Sequence, residues 1–122
     1  MSQPASWLPQ VKRTLSSSDD IKDWLVGQFR DRPKSWRLGL LCLTDGQLIF
    51  FRKTLFGREM LTWPLSDIKN ATIGAFGGLT GPKGEMAELK LELVSGATLG
   101  MSFISRGNPE SFVQRLIRLR SE

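Results

Sequence analysis

Residues 39–51 read GLLCLTDGQLIFF, and Arg52 and Lys53 follow directly. Two apolar runs rich in strand-forming residues, separated by Thr44-Asp45-Gly46-Gln47, make a β-hairpin. The Asp-Gly pair suits a two-residue type I′ turn, whose central residues both need positive φ. This predicts strands over residues 36–43 and 47–53 and commits the chain to an antiparallel sheet.

The remaining segments supply further strands. Residues 59–65 and 69–76 read as two more, with a bend at Ser66 and Asp67. Leu89, Leu91 and Leu93 alternate with Glu88, Lys90 and Glu92, the pattern of a half-buried antiparallel strand. Ser95-Gly96 turns the chain into a seventh strand that points Ala97, Leu99, Met101 and Phe103 inward. Asn108-Pro109-Glu110 then opens a final helix, with Asn as cap and Pro at the first helical position. Its apolar stripe is Phe112, Val113, Leu116, Ile117 and Leu119.

Ahead of the hairpin, Ser18-Asp19-Asp20 resembles a helix start, and Ile21, Trp24 and Leu25 share one helical face. Leu25, Gly27 and Phe29 alternate as a strand would, so the helical and strand periods disagree over this segment. Residues 1–17 carry Pro4, Pro9 and three serines, and read as a flexible arm before a domain at 18–122. Trp7, Leu8 and Val11 are apolar enough to dock on the domain or on a partner. The glycine-rich stretch 77–84 is a loop; it departs from the P-loop spacing and leads into a strand, so Lys83 is at most an auxiliary contact.

The residues Gly39, Leu41, Leu43, Thr44, Asp45, Leu48, Ile49, Phe50 and Phe51, followed by Trp63, Pro64, Leu65 and Ile68, resemble the signature of small bacterial pleckstrin-homology-like domains close to the GRAM subgroup. Gln47 departs from it, standing where a basic residue is common. The resemblance covers about residues 25–120 and implies a mostly β (α+β) fold, with a first strand before Pro33 preceded by a short helix to about residue 24. That fold is a seven-stranded bent sandwich or barrel capped by a C-terminal helix, with a short N-terminal helix in addition. Such a fold carries many unrelated binding roles.

Composition narrows the function. The 122 residues contain no histidine and one cysteine, Cys42, which removes the usual general bases, zinc ligands and disulfides. No catalytic residue, metal site or cofactor is expected. Cys42 lies within a strand and reads as a small buried hydrophobe. With no apolar run long enough to span a bilayer and no secretory signal, the expected location is cytoplasmic, with peripheral association at the inner face of the membrane open.

The net charge of +5 is concentrated between residues 30 and 58, where Arg30, Arg32, Lys34, Arg37, Arg52, Lys53 and Arg58 face only Asp31 and Asp45. The resemblance places residues 30–37 in the loop that holds inositol phosphates in eukaryotic pleckstrin-homology domains. The order of basic residues there differs from that family's Lys…Arg-x-Arg pattern, so headgroup specificity does not carry over. Residues 52–58 add Leu55 and Phe56, which either dip into an interface between flanking cations or fold back to close the barrel. The reading is a noncatalytic binding module whose candidate anion-binding residues are Arg30, Arg32, Lys34, Arg37, Arg52, Lys53, Phe56 and Arg58. The first partner class is an anionic phospholipid or phosphorylated headgroup. A protein-interaction or self-assembly adaptor, with the arm anchoring on a second copy, is the alternative, and nucleic acid ranks third.

Overall fold

The computed structural model describes residues 4–15, 19–32, 34–75 and 87–121. Seven antiparallel strands run β1 (Asp23–Arg30), β2 (Arg37–Leu43), β3 (Gln47–Thr54), β4 (Gly57–Pro64), β5 (Ile68–Ala75), β6 (Ala87–Leu93) and β7 (Thr98–Arg106). They form one sheet in the order β4-β3-β2-β1-β7-β6-β5. Edge strands β4 and β5 do not pair, so the sheet is bent and open rather than a closed barrel. Helix α2 (Pro109–Ser121) packs on β5 and β1. Residues 77–84, Lys83 among them, lie outside the described residues.

The β2–β3 hairpin has the expected register, Leu43 opposite Leu48 and Leu40 opposite Phe51. Its turn differs from the type I′ expectation, because neither Asp45 nor Gly46 has positive φ. The buried Thr44 hydroxyl instead accepts the backbone N–H groups of Gly46 (3.3 Å) and Gln47 (3.1 Å). A side chain that bonds the backbone two and three residues on can close a turn without left-handed residues. Gly39 is required by packing: a Cβ there would sit 2.4 Å from the Phe50 ring and 2.9 Å from the Phe51 carbonyl oxygen.

One face of the sheet carries Leu25, Phe29, Leu41, Leu43, Leu48 and Phe50, packed against β5–β7 and against Phe112, Val113 and Leu116 of α2. Phe29 and Phe50 stack with ring centroids 4.2 Å apart. Asn108 caps α2 as expected, its Oδ1 accepting the N–H groups of Glu110 (2.9 Å) and Ser111 (3.2 Å). Ile117, expected in the buried stripe, is instead exposed. The arginines of α2 clasp it to the sheet: Arg115 donates to the Lys22 carbonyl (3.0 Å) and Arg120 to the Lys69 carbonyl (2.7 Å).

The other face of β1–β3 is equally apolar, and its cover corrects the reading of the N-terminus. A 3-10 turn at Pro4–Trp7 continues into helix α1 (Leu8–Thr14). Trp7 and Val11 are buried there against Val26, Leu40, Cys42, Ile49 and Phe51. Trp7 meets Phe51 edge-on at 6.0 Å. The short N-terminal helix therefore lies within the expected arm, whereas 19–22 is irregular and Asp23 already begins β1; Ser18 is outside the described residues. The Ile21/Trp24/Leu25 spacing was misleading because Trp24 and Leu25 point to opposite faces of a strand, Trp24 toward α1 and Leu25 into the opposite core.

A second correction concerns β7. Leu99 and Met101 are buried, but Ala97 and Phe103 are exposed and Ile104 takes the inward place. Val26 pairs with Arg106 and Gln28 with Ser102, so β7 carries a bulge opposite Gly27, with Phe103 at φ 51°. Gly27 makes the approach possible, since a Cβ on it would lie 2.8 Å from the Ser102 carbonyl oxygen. The two extra residues of β7 break the alternation locally, turning Phe103 out and Ile104 in, which no local pattern announces.

Burial pushes the Cys42 thiol up to about 12. The unfolded thiol ionises near pH 9 and the folded one does not, so stability is unaffected below that and falls by about 1.4 kcal/mol per pH unit between pH 9 and 12. We expect Trp7→Ala to lower unfolding free energy by about 3 kcal/mol in urea titrations. It should also make Cys42 accessible to a thiol reagent at pH 8, whereas the wild type reacts only on unfolding. Unchanged Cys42 protection in Trp7→Ala would show that the segment is not what shields this face.

Candidate functional site

Consecutive antiparallel strands place the β1–β2 connection and the β3–β4 turn at the same end of the sheet. The two basic clusters of the sequence therefore meet in space. Strands β3 and β4 extend further than expected, to Thr54 and Gly57, so only Leu55 and Phe56 form the turn. The other residues of the second cluster stand on strands at fixed register, Lys53 opposite Arg58 and Arg52 opposite Glu59.

Leu55 is 90% exposed and Phe56 97% exposed. Phe56 does not fold back onto the core. Leu38, on β2 beside Lys53, is 48% exposed. Two like charges directly opposite each other across an antiparallel pair are destabilising, and Lys53 and Arg58 are in that position. An apolar tip flanked by unneutralised cations thus projects from the fold.

Beneath the tip, acidic and basic side chains are tied together. The Arg37 side chain is only 9% exposed; its Nη2 donates to Asp31 Oδ1 (3.1 Å), and its Nη1 donates to the Ser35 carbonyl (3.1 Å) and also to the Ser35 hydroxyl. Its Nε lies 2.9 Å from Glu59 Oε1, an ion pair whose N–H direction misses hydrogen-bond geometry. Arg52 Nε donates to that same Glu59 oxygen at 2.9 Å. The Arg37 guanidinium also lies over the Phe50 ring, 5.6 Å from its centroid. One buried guanidinium thereby joins the β1–β2 connection to the β3–β4 hairpin.

The residues of the first cluster take different positions. Arg30 lies over the Trp36 ring at 4.6 Å, a cation–π contact that holds the charge without neutralising it. Arg32 and Lys34 are exposed, and Lys34 has φ 64° in the tight turn closed by Ser35 N–H to the Arg32 carbonyl (3.3 Å). The end as a whole carries seven cations against Asp31 and Glu59. Asp45, which is adjacent in sequence, belongs to the opposite end, where it pairs with Lys22 at 3.8 Å. A second ion pair, Arg115 with Asp23, lies there too, while Arg118 borders the same region without a carboxylate partner among the described residues. Two hollows also lie away from the basic end. One of about 260 Å³ is bordered by Asp19, Gly46, Gln47, Thr62 and Pro64, and one of about 100 Å³ by Lys22, Arg115, Arg118 and Leu119.

Glu59 is the member of this ion-pair cluster that charge counting missed. Its role becomes visible once the turn is set at Leu55 and Phe56, because that places residue 59 opposite residue 52. Among the described residues no group of three or more Cys, Asp or Glu side chains is arranged to hold a metal ion. No helix among them is long and apolar enough to cross a membrane.

Removing Arg37 takes the shared partner from two partly exposed carboxylates, Asp31 and Glu59, so Arg37→Met is expected to destabilise the fold by about 2 kcal/mol, below the full cost of breaking a buried pair. Arg52→Met, removing a guanidinium that is one-third exposed, should cost less than about 1 kcal/mol. Urea denaturation of both variants checks the ranking, and equal losses would refute the central place of Arg37.

No protein-family model matches the chain, and no curated protein matches it either. Solved structures do. A DUF1696 family protein with a pleckstrin-homology domain from Shewanella loihica PV-4 superposes with TM-score 0.64 at 12% identity, covering 98% of this chain and 94% of that one. The pleckstrin homology domain of USP37 gives TM-score 0.59 at 18% identity, covering 80% and 96%. A pleckstrin homology domain from Shewanella amazonensis SB2B gives 0.57 at 15%, covering 98% and 89%. Seven antiparallel strands in this order, closed at one end by a C-terminal helix, are the arrangement these structures share, and the chain is accordingly a domain of pleckstrin-homology-like fold.

Proposed function

We propose that this domain is a noncatalytic module that associates peripherally with anionic phospholipid through its basic end. The observation that carries this reading is the exposed Leu55–Phe56 tip between Lys53 and Arg58. Burying a large apolar side chain is worth about 1.5–3 kcal/mol, which only an apolar phase or a partner surface returns. Each basic residue near an anionic leaflet adds about 1 kcal/mol. Arg30, Arg32, Lys34, Lys53 and Arg58 supply that charge, whereas Arg37 and Arg52 act through Glu59 and Asp31 to fix the geometry. Two weak contributions of different physical origin together give stable, reversible anchoring where either alone gives little.

The alternative of a self-assembly adaptor anchored by the N-terminal arm has less support. Trp7 and Val11 bury against their own sheet, which leaves no apolar anchor on that segment for a second copy.

Co-sedimentation with phosphatidylcholine vesicles, with and without phosphatidylglycerol, tests the proposal. Wild type should pellet only with anionic vesicles and should release at high salt, because exposed charges are screened over about 8 Å already at physiological ionic strength. Lys53→Glu/Arg58→Glu should weaken binding more than about tenfold, since about 1.4 kcal/mol corresponds to tenfold. Leu55→Ser/Phe56→Ser should weaken it while leaving the salt dependence intact. Equal pelleting of wild type and the charge-reversed variant would refute the membrane role of this face.

A further inference from the structure

The carboxylate of Glu59 stands with that of Asp31 among seven cations, and one of its oxygens is held by two guanidinium groups at 2.9 Å each. We propose that Glu59 is an internal competitor for the anions this end binds, and that it sets the affinity of the surface by holding Arg52 away from lipid phosphate. This rests on the anionic-membrane reading above and names what restrains it.

Three observations support the assignment. First, Arg37 Nε is a buried donor whose hydrogen bond is unmade even with Glu59 beside it, so the carboxylate neutralises the charge without satisfying the N–H. Secondly, Arg37 does not need Glu59 to stay in place, because Asp31 and Ser35 engage both its Nη atoms. The fork of guanidinium groups therefore survives loss of the carboxylate. Thirdly, Arg52 and Glu59 are directly paired strand residues, and Arg52 is partly exposed next to Lys53, so a released Arg52 joins the existing cationic row without backbone movement. A clamp that only stiffened the hairpin would have no reason to sit among the charges that meet the ligand.

Glu59→Gln keeps the side-chain shape and removes the charge. Thr54→Lys adds the same single positive charge at an exposed position of the same end without opening the fork. With phosphatidylcholine/phosphatidylglycerol vesicles at physiological salt, Thr54→Lys should tighten binding by up to about fivefold, the effect of one added cation. Glu59→Gln should exceed it clearly, by about tenfold over wild type, because a neutral amide oxygen also holds the Arg52 guanidinium less strongly than a carboxylate does. Glu59→Asp, which leaves net charge unchanged and shortens the reach to the guanidinium groups, should tighten binding as well; it covers the case in which the Gln variant does not fold. Thermal melting establishes which variants are folded, and the Nε–H resonances of Arg37 and Arg52 report whether the fork has opened. If wild type binds but a folded Glu59→Gln binds no better than Thr54→Lys, or Glu59→Asp no better than wild type, the competitor role is overturned and the membrane reading stands. If no variant binds anionic vesicles, the membrane reading falls, and this inference with it.

Discussion

Burial of β2 and β3 on both faces is the constraint from which the rest of the arrangement follows. Leu41, Leu43, Leu48 and Phe50 point into one core, and Leu40, Cys42, Ile49 and Phe51 into another. A single antiparallel sheet usually leaves one face to water. Here neither face can be left so, and each needs its own cover. The inner face is covered by the bent-over strands β5–β7 and by α2, and the outer by the segment at residues 4–14. Since the inner cover closes one end of the bend, the opposite end remains for function. There the strand termini leave backbone and side chains facing solvent.

Polar chemistry at that end is organised around one buried guanidinium. Arg37 draws in a carboxylate from the β1–β2 connection and another from β4, and through Glu59 it fixes Arg52 on β3. Buried charges persist in proteins only when paired and hydrogen-bonded. Four side chains from separate segments are consequently held in one geometry. Arrangement of the exposed cations depends on it. Lys53 and Arg58 are forced opposite each other by the hairpin register, with Arg52 and Glu59 paired one step further in.

Much of this was legible in the residues. The hairpin at 39–51, the seven strands, the Asn108-capped helix and the two basic clusters all follow from local pattern. What was missed depended on contacts distant in sequence. The runs LLCL and LIFF do not alternate, and a non-alternating strand implies cover on both faces. Reading them that way would have assigned Trp7 and Val11 a place against the sheet. The β7 bulge at Phe103 depends on Gly27, some 75 residues away, whose missing Cβ is not a local signal. The turn at Asp45-Gly46 follows the buried Thr44 hydroxyl rather than the Asp-Gly pair, because a side-chain acceptor removes the need for left-handed residues. At the candidate site, charge counting found every cation but could not separate Arg37, which is sequestered, from Lys53 and Arg58, which are not.

The distribution of charge between the two ends adds an argument about orientation. At the far end Lys22 pairs with Asp45 and Arg115 with Asp23, which weakens the field of those four charges. At the near end an excess of five positive charges is concentrated around two exposed apolar side chains. A molecule with that asymmetry is turned by an anionic surface before it touches it, because the torque acts over about a Debye length, roughly 8 Å at physiological ionic strength. The apolar tip would then arrive first. On the proposed reading, the like-charge pair behind it costs stability in the free domain and is relieved when phosphate groups come between the two cations.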